Sequence, residues 1–576
     1  MAGCNVVVFI LCVYGYVSRI DAQTNLLQNG DFENTNYAGN WYCQSCTMAP
    51  SNDAYHGSHS VKISNRHQNW NGLAQNLNLH ATSIYTITAY IKLLTSTNNA
   101  QYQEMIMMLN CIDSSGAQKY MKFGEIHYME KGKWYQVGGA DKIPSGYHGC
   151  HMYVQTAAPA DYLVDEAEVH LNPVLSNWRS DANARIDTYR KADLTVRLTG
   201  NNVNAASVQI ELTQKKMEFK FGSAVSATKI VDSSQHAYQN AFYNNFEWAV
   251  LENAEKWRQM ESTRGQIDYD RPLHAIDALR SHGIKVRCHC AFWDKEEFTQ
   301  DWVKQLHGDS LRTAITERIQ GVISHTKGKC EQWDVNNELL HGHVYELQTG
   351  DPDITHSMFR QIHAIDGHPR LFLNDYGVLS YAESTVELAD LALKYKAAGV
   401  PIGGIGAQSH LHGVDVHVIK TRLDLLGKAK LPVMITELGI NEQDDAHRAT
   451  RLVDTLTMMF SHPSVEGVIF WGFWDGQIWE KDAVLYTGSN VTPNAAGRAY
   501  EELFHTTWRT HVTSTIHGST PFHVRGFKGE YELKVKHNGH VLQTETFTLA
   551  EAGKTLQIHL NGVNGGTPDI SHVIIG

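Results

Sequence analysis

Two short apolar runs in this chain each end in a glutamate. The first is Trp333-Asp-Val-Asn-Asn-Glu338, followed by Leu339-Leu340-His341-Gly342. The second is Leu431-Pro-Val-Met-Ile-Thr-Glu437. A strand ending in Asn-Glu suits the rim of a parallel barrel, where side chains leave the core and meet substrate. Two carboxyl groups on two such ends can cleave a glycosidic bond with retention if they stand about 5–5.5 Å apart. One protonates the leaving oxygen and the other attacks the sugar carbon. The attacking carboxyl must then be ionised while the other keeps its proton, and their mutual repulsion raises the pKa of whichever holds it. Once a glycosyl-enzyme forms, the protonated one can lose that proton and serve as base for water.

The elements that would position this pair follow from the texture between about 175 and 512. Helical patterns such as Ala275–Gly283 alternate with short apolar strands such as Gly283–Arg287, and Gly283 is a plausible helix stop. Further strands are read at Leu371–Asn374, Ile402–Gly406, Val433–Thr436 and Val468–Trp471. Counting Phe221-Gly222 and Phe246–Val250 as the first two gives eight, the number that closes a (β/α)8 TIM barrel. Polar or indole side chains follow every strand after the first. They are Glu252, Asn253, Lys256 and Trp257; His289 and Trp293; Asn337 and Glu338; Asn374, Asp375 and Tyr376; Gln408 and His410; Glu437; and Trp471, Trp474 and Trp479. Trp rings offer flat apolar faces that match the C–H faces of pyranose rings.

This pattern resembles glycoside hydrolase family 10, the endo-β-1,4-xylanase family, over about residues 175–512. Ala184–Lys191 and Phe522–Tyr531 are similar to its plant and animal branch. The resemblance implies that Glu338 is the general acid/base and Glu437 the nucleophile. It also implies that Asn337 holds the 2-hydroxyl at the cleaved bond and that Glu252, Asn253, Lys256, His289 and Trp293 line the glycone subsites. Tyr376 would join them in binding substrate, Gln408 and His410 would contact the nucleophile, and Trp471 and Trp479 would form floor and wall. On their own, Trp257 and Trp474 read as core; for Lys256 a solvated surface lysine is the lesser alternative to a place in the cleft. Three positions depart from the family pattern: Cys288 for Gly, Asp294 for His, and Gly439 for an Asp that supports the histidine. Without that carboxylate the pKa of His410 is expected to be less raised, so that Gly439→Asp would alter the pH–rate profile.

Residues from about 24 to 172 read as all-β, with period-two strands such as Ile84–Ile91 between Gly, Asn and Ser clusters. A β-sandwich follows. Asn25–Glu33, Asn65–Gly72 and Asp161–Glu166 resemble carbohydrate-binding modules of the family 4/9/22 type. That resemblance implies a stacking contact at Trp70 and further ligand contacts at Tyr153 and Gln155. It also implies that Glu33 and Asp165 can hold a structural Ca²⁺, an ion suited to oxygen ligands. The bland alternative is a sandwich that binds nothing.

The remaining expectations come from composition. The 576 residues exceed one core. They divide into a signal peptide (1–22), the sandwich (23–172), the barrel (173–512) and a small C-terminal β-domain (513–576). Lys and Arg number 49 against 61 Asp and Glu, a net charge of -12, which argues against nucleic acid or an anionic membrane as partner. Val6–Tyr16 has the length of a signal-peptide apolar core and is too short to span a bilayer, so a secreted, soluble protein is expected, with monomer as the default. Cys43, Cys46, Cys111 and Cys150 allow two bridges in three connectivities in an oxidising compartment, and a lone C-x-x-C is poor evidence for zinc. Cys288, Cys290 and Cys330 read as buried thiols, with one bridge allowed. Asn490-Val-Thr492 is a glycosylation sequon. Catalysis by two carboxyls requires no cofactor. The expected substrate is plant cell-wall xylan. The rival readings are an endo-β-1,4-glucanase, alone or beside xylanase activity, and a carbohydrate-binding protein whose barrel is silent.

Overall fold

The computed structural model describes residues 24–564 and 566–576. The signal-peptide expectation falls on residues 1–22, outside the described residues. The chain folds into three bodies, two of them β-sandwiches and the third a closed parallel barrel.

The barrel strands are Lys220–Val225, Trp248–Leu251, Lys285–Cys288, Gln332–Asn337, Arg370–Asp375, Ile402–Leu411, Val433–Ile440 and Val465–Phe470. Each pairs in parallel with its neighbours, and the first also pairs with the eighth, so no edge remains. A two-residue strand, Phe292–Trp293, extends the rim beside the fourth. Helices follow the strands because apolar stripes require it. In Asp445–Ser461, Leu452, Leu456 and Met459 face inward, and the Asp444 carboxylate caps the helix by accepting the His447 N–H at 2.8 Å. Burying each of those side chains contributes about 1.5–3 kcal/mol. The helix Asp270–Ser281 stops where Gly283 adopts φ +71°, as its position predicts.

The N-terminal module is a sandwich of two five-stranded antiparallel sheets. One carries Tyr147–Thr156 at its centre and the other Tyr162–Asn172. Cys111–Cys150 joins neighbouring strands of the first sheet, and Cys43–Cys46 closes a short loop. In the barrel Cys288 bonds Cys330, leaving Cys290 as a buried thiol. The odd set thus resolves into one bridge and one free thiol.

The C-terminal sandwich is larger than the segment 513–576 expected for it. Lys191–Gly200 and Ser207–Met217, which precede the barrel, lie inside its two four-stranded sheets. Lys191–Gly200 pairs with Phe522–Phe527 and Lys554–Asn564, and Ser207–Met217 pairs with His511–His517 and Gly529–His537. This body is therefore discontinuous in sequence, and the barrel is an insertion between its second and third strands. The reason is burial: Leu194, Val196, Leu198, Val208, Ile210 and Leu212 supply one half of a shared core with Leu533, Val535, Leu556 and Ile558.

The N-terminal module is docked on the barrel rather than hung from it. Its strand Trp134–Lys142 lies on the helix Thr385–Ala397, where Glu387 Oε1 accepts the Gly138 N–H at 2.9 Å and Asp390 Oδ2 accepts that of Gln136 at 3.2 Å. Arg422, fully buried, donates to the Ala140 carbonyl at 3.0 Å. The approach depends on glycine. A Cβ on Gly139 would lie 2.0 Å from the Ala382 carbonyl oxygen, and one on Gly124 2.7 Å from Glu387 Oε1. Gly139→Ala should therefore cost about 1–3 kcal/mol through overpacking. Thermal unfolding of the full chain reads this directly, and an unchanged Tm would mean that the seam is not as tight as described.

Candidate active site

The C-terminal ends of the barrel strands surround a cleft of about 640 Å³. Its walls carry Glu338 and Glu437 together with Glu252, Asn253, Lys256, His289, Trp293, Asn337, Tyr376, Gln408, His410, Trp471 and Trp479. The rim positions read from the sequence thus converge on one groove.

Glu338 follows the last residue of the fourth strand with φ +64°, a left-handed conformation uncommon for a non-glycine residue and often found where function demands it. The turn is held by the Glu338 N–H donating to the Asn374 carbonyl at 2.8 Å and by the Gly342 N–H returning to the Glu338 carbonyl at 2.9 Å. Its carboxyl Oε2 accepts the Trp293 indole N–H at 2.7 Å, and Oε1 accepts Gln408 Nε2 and Asn337 Nδ2, each at 3.2 Å. Burial, then the charges of Asp375 and Glu437, push its pKa up to about 7, against the hydrogen bonds from Trp293 and Gln408.

Glu437 lies within the seventh strand. Its burial would raise its pKa, but the His410 hydrogen bond and the charges of His289, His410 and Lys256 outweigh that, and its pKa lies below the usual carboxylate value. His410 Nε2 stands 3.4 Å from Glu437 Oε2, and Asn374 Nδ2 donates to Glu437 Oε1 at 3.3 Å. The pKa values of two carboxyl groups in one cleft are thus pushed in opposite directions.

The supporting roles differ in part from those expected. Gln408 hydrogen-bonds Glu338 and Asn337, and the amide that touches Glu437 belongs to Asn374. Lys256 is not a solvated lysine. Its side chain is buried, its ammonium donates to Asn253 Oδ1 at 3.0 Å, and it lies over the Trp293 and Trp471 rings at 4.6 and 5.7 Å. His289 Nδ1 faces Asp334 Oδ2 at 2.9 Å, and Arg287 pairs with the other carboxylate oxygen of Asp334. Glu252 accepts from Gln477 at 3.1 Å. Tyr376 stacks on His341 at 3.7 Å. Trp479 is 67% exposed, Trp257 is core, and Trp474 is half-buried against the core with its indole N–H on the Gly488 carbonyl.

The expectation for Gly439 is corrected. The carboxylate that supports His410 is present, supplied by Glu480 from the segment after the eighth strand, with Oε2 2.9 Å from His410 Nδ1. A Cβ on Gly439 would lie 2.0 Å from that same Oε2, so the missing side chain is what admits Glu480. Asn441 Nδ2 holds its other oxygen at 2.7 Å. Burial alone would lower the His410 pKa, but the hydrogen bonds and charges of Glu437 and Glu480 raise it to about 9. Beyond the departure at Gly439, no motif or spacing marks Glu480. Asp375, whose charge raises the Glu338 pKa and whose Oδ1 lies 2.6 Å from His341 Nδ1, was visible only as part of a rim motif.

Removing the indole donor at Trp293 has a signed consequence. Trp293→Phe loses a hydrogen bond that favours ionised Glu338, so the alkaline limb of the pH–rate profile should move to higher pH. A hydrogen bond to a charged group is worth about 1.5–3 kcal/mol, so kcat/KM should fall roughly tenfold or more. A limb that moves down instead would contradict this placement.

In the N-terminal module Trp70 is 55% exposed on a loop whose neighbour Asn69 accepts the Thr156 N–H at 3.2 Å, which sets it beside half-buried Gln155. Tyr153 is only 5% exposed, packed with Tyr42, Ala74, Ile106 and Met108, and so underlies the face rather than projecting from it. Glu33 and Asp165 both hold the loop around Tyr55–His59. Glu33 Oε1 accepts the N–H groups of Ser58 and His59 at 2.7 and 2.9 Å, and Asp165 Oδ2 accepts those of Tyr55 and His56 at 2.8 and 3.1 Å. These carboxylates staple that loop, each through one oxygen, while Glu33 Oε2 lies 3.4 Å from His59 Nδ1 and Asp165 Oδ1 accepts the Glu166 N–H at 2.8 Å. Asn490 is exposed in the turn of a small hairpin, Tyr486–Thr487 against Thr492–Pro493.

A closed eight-stranded barrel with a protonated and an ionised carboxyl facing one groove defines a glycosidase-type site. Residues 210–502 match the family described as Glycosyl hydrolase family 10, and residues 24–161 match a Carbohydrate binding domain. The chain belongs to glycosyl hydrolase family 10. It is 34% identical over 383 residues to the anti-sigma-I factor RsgI6 of Acetivibrio thermocellus, covering 66% of this chain and 49% of that protein. It is 28% identical over 520 residues to endo-1,4-beta-xylanase 3 of Arabidopsis thaliana, covering 88% of this chain and 68% of the relative. A crystal structure of xylanase 10B from Thermotoga petrophila in complex with xylobiose aligns with 50% of this chain and 95% of its own, at 22% identity and a TM-score of 0.46. The chain spans about half the length of the first of these relatives.

Proposed function

We propose that this protein is a secreted endo-glycanase that hydrolyses internal β-1,4 linkages of xylan by double displacement with retention. The observation that carries this reading is the opposed protonation of Glu338 and Glu437 within one groove. Glu338, protonated below about 7, delivers its proton to the departing glycosidic oxygen while ionised Glu437 bonds the anomeric carbon. Glu338 is then the base that takes a proton from water as water displaces Glu437. Lys256, Trp293, Trp471 and Trp479 hold the sugar rings, and Asn337 is placed for the hydroxyl next to the reacting carbon. The N-terminal module holds polysaccharide through the exposed Trp70 face, which raises the local concentration of polymer at the cleft. The Arabidopsis relative named an endo-1,4-beta-xylanase supports the choice of xylan. The presence of both carboxyls with their partners disfavours a silent barrel.

Glucan differs from xylan by a hydroxymethyl group on each ring, and the high exposure of Trp479 leaves that side of the groove open. Relative rates on xylan and carboxymethylcellulose decide between these polymers. Proton NMR of the first product formed should show the β-anomer before mutarotation. The α-anomer would remove the double displacement, and absence of turnover on either polymer would remove the proposed function.

A further inference from the structure

Behind the acid/base turn, where the barrel meets the N-terminal module, two carboxyl groups and an imidazole converge. Asp294 is fully buried and its Oδ1 and Oδ2 accept from the Tyr345 N–H and Asn336 Nδ2, each at 3.2 Å. Glu346 is 2% exposed, and its Oε1 accepts the Thr355 hydroxyl at 2.6 Å. Its Oε2 has no hydrogen-bond partner, and neither ring nitrogen of His343 has one. His343 Nδ1 stands 3.7 Å from that Oε2. One ligand atom from each of the three residues lies within 4.8 Å of the others. Among the described residues no Lys or Arg forms an ion pair with either carboxylate.

Two adjacent buried carboxyls without a cation have two ways to avoid the cost of burying charge. They can share a proton, which leaves both nitrogens of His343 unused, or they can bind a cation, which uses the imidazole as well. We propose that Asp294, His343 and Glu346 form a binding site for a divalent transition cation of the zinc class. One imidazole nitrogen with two carboxylate oxygens suits zinc, whereas calcium and magnesium take oxygen ligands in larger number. The ring is already fixed by Tyr102 and Tyr128 of the N-terminal module, at centroid distances of 4.6 and 4.9 Å. A cavity of about 470 Å³ lined by Tyr102, Tyr128, His343 and Glu346 gives the ion a route in. The site would pin the segment after Trp293, since the Asp294 N–H donates to the Asn337 carbonyl at 2.9 Å.

The test uses the full chain. Wild type, His343→Ala and Glu346→Gln are equilibrated with zinc chloride, freed of excess metal, and measured for bound zinc and for Tm with and without EDTA. His127→Ala serves as control, because Glu104, Glu125 and His127 form a separate cluster at the same seam. Wild type and the control should each bind one equivalent more than the other two variants. Their Tm should rise by at least about 2 °C with zinc and fall back with EDTA. The isosteric Glu346→Gln decides the question if His343→Ala does not fold. Equal zinc contents in wild type and Glu346→Gln, or equal thermal responses, overturn the site and leave the two carboxyls sharing a proton.

Discussion

Glu338→Ala is expected to lower turnover of unactivated xylan by about 10⁴-fold, the upper range for loss of a general acid, while leaving polymer binding intact. The size of the loss should depend on the leaving group. An aryl glycoside with an acidic phenol departs without a proton, so the first step recovers. The second step still lacks a base, so glycosyl-enzyme accumulates and a burst of phenol precedes slow turnover. Glu437→Gln removes the attacking atom and should abolish both substrates alike. In the wild type, xylan hydrolysis should fall as pH rises through about 7, where Glu338 loses its proton. It should fall again on the acid side, below the usual carboxylate range, as Glu437 becomes protonated. Equal losses on both substrates for Glu338→Ala would show that its role has been misassigned.

The second large effect belongs to Glu480. With an activated aryl glycoside the first step no longer depends on the Glu338 proton, so the alkaline limb of kcat/KM reports His410, whose cation persists to about 9. Glu480→Gln removes one of the two carboxylates that raise it, so this limb should move to lower pH, and each unit of movement costs about tenfold at a fixed alkaline pH. Gly439→Asp alone should destabilise the protein by about 1–3 kcal/mol, because its side chain must enter the space of Glu480 Oε2. Combining Gly439→Asp with Glu480→Ala, which vacates that space, should recover part of both losses, since the new carboxylate takes the place of the old one. Strict additivity in that double-mutant cycle would show that the two positions do not share a space.

The barrel was legible because its rim repeats. An apolar run ending in a polar side chain recurs at Glu338, Asp375, Gln408 and Glu437, and a parallel sheet puts all such ends on one face. Glu480 was not legible, because it lies in an irregular segment and its meaning depends on an absent side chain 41 residues earlier, at Gly439. No periodicity links a gap to the group that fills it. The strands Lys191–Gly200 and Ser207–Met217 alternate plainly, yet their partners lie some three hundred residues downstream, and local pattern carries no information about pairing over that distance. Cysteine parity in the barrel allowed a bridge but did not name its ends, and proximity in space chose Cys288 and Cys330.

The glycine seam between module and barrel has a consequence for how a fibre is met. Because Gly139 lets the module meet the barrel backbone at Ala382, the indole of Trp70 keeps a set bearing to the groove. There is no leash whose length could be tuned. On the proposed function, a polysaccharide strand lying across that indole reaches the groove along one heading only. Grafting a foreign module onto this barrel would lose that alignment even if the graft gripped sugar more tightly.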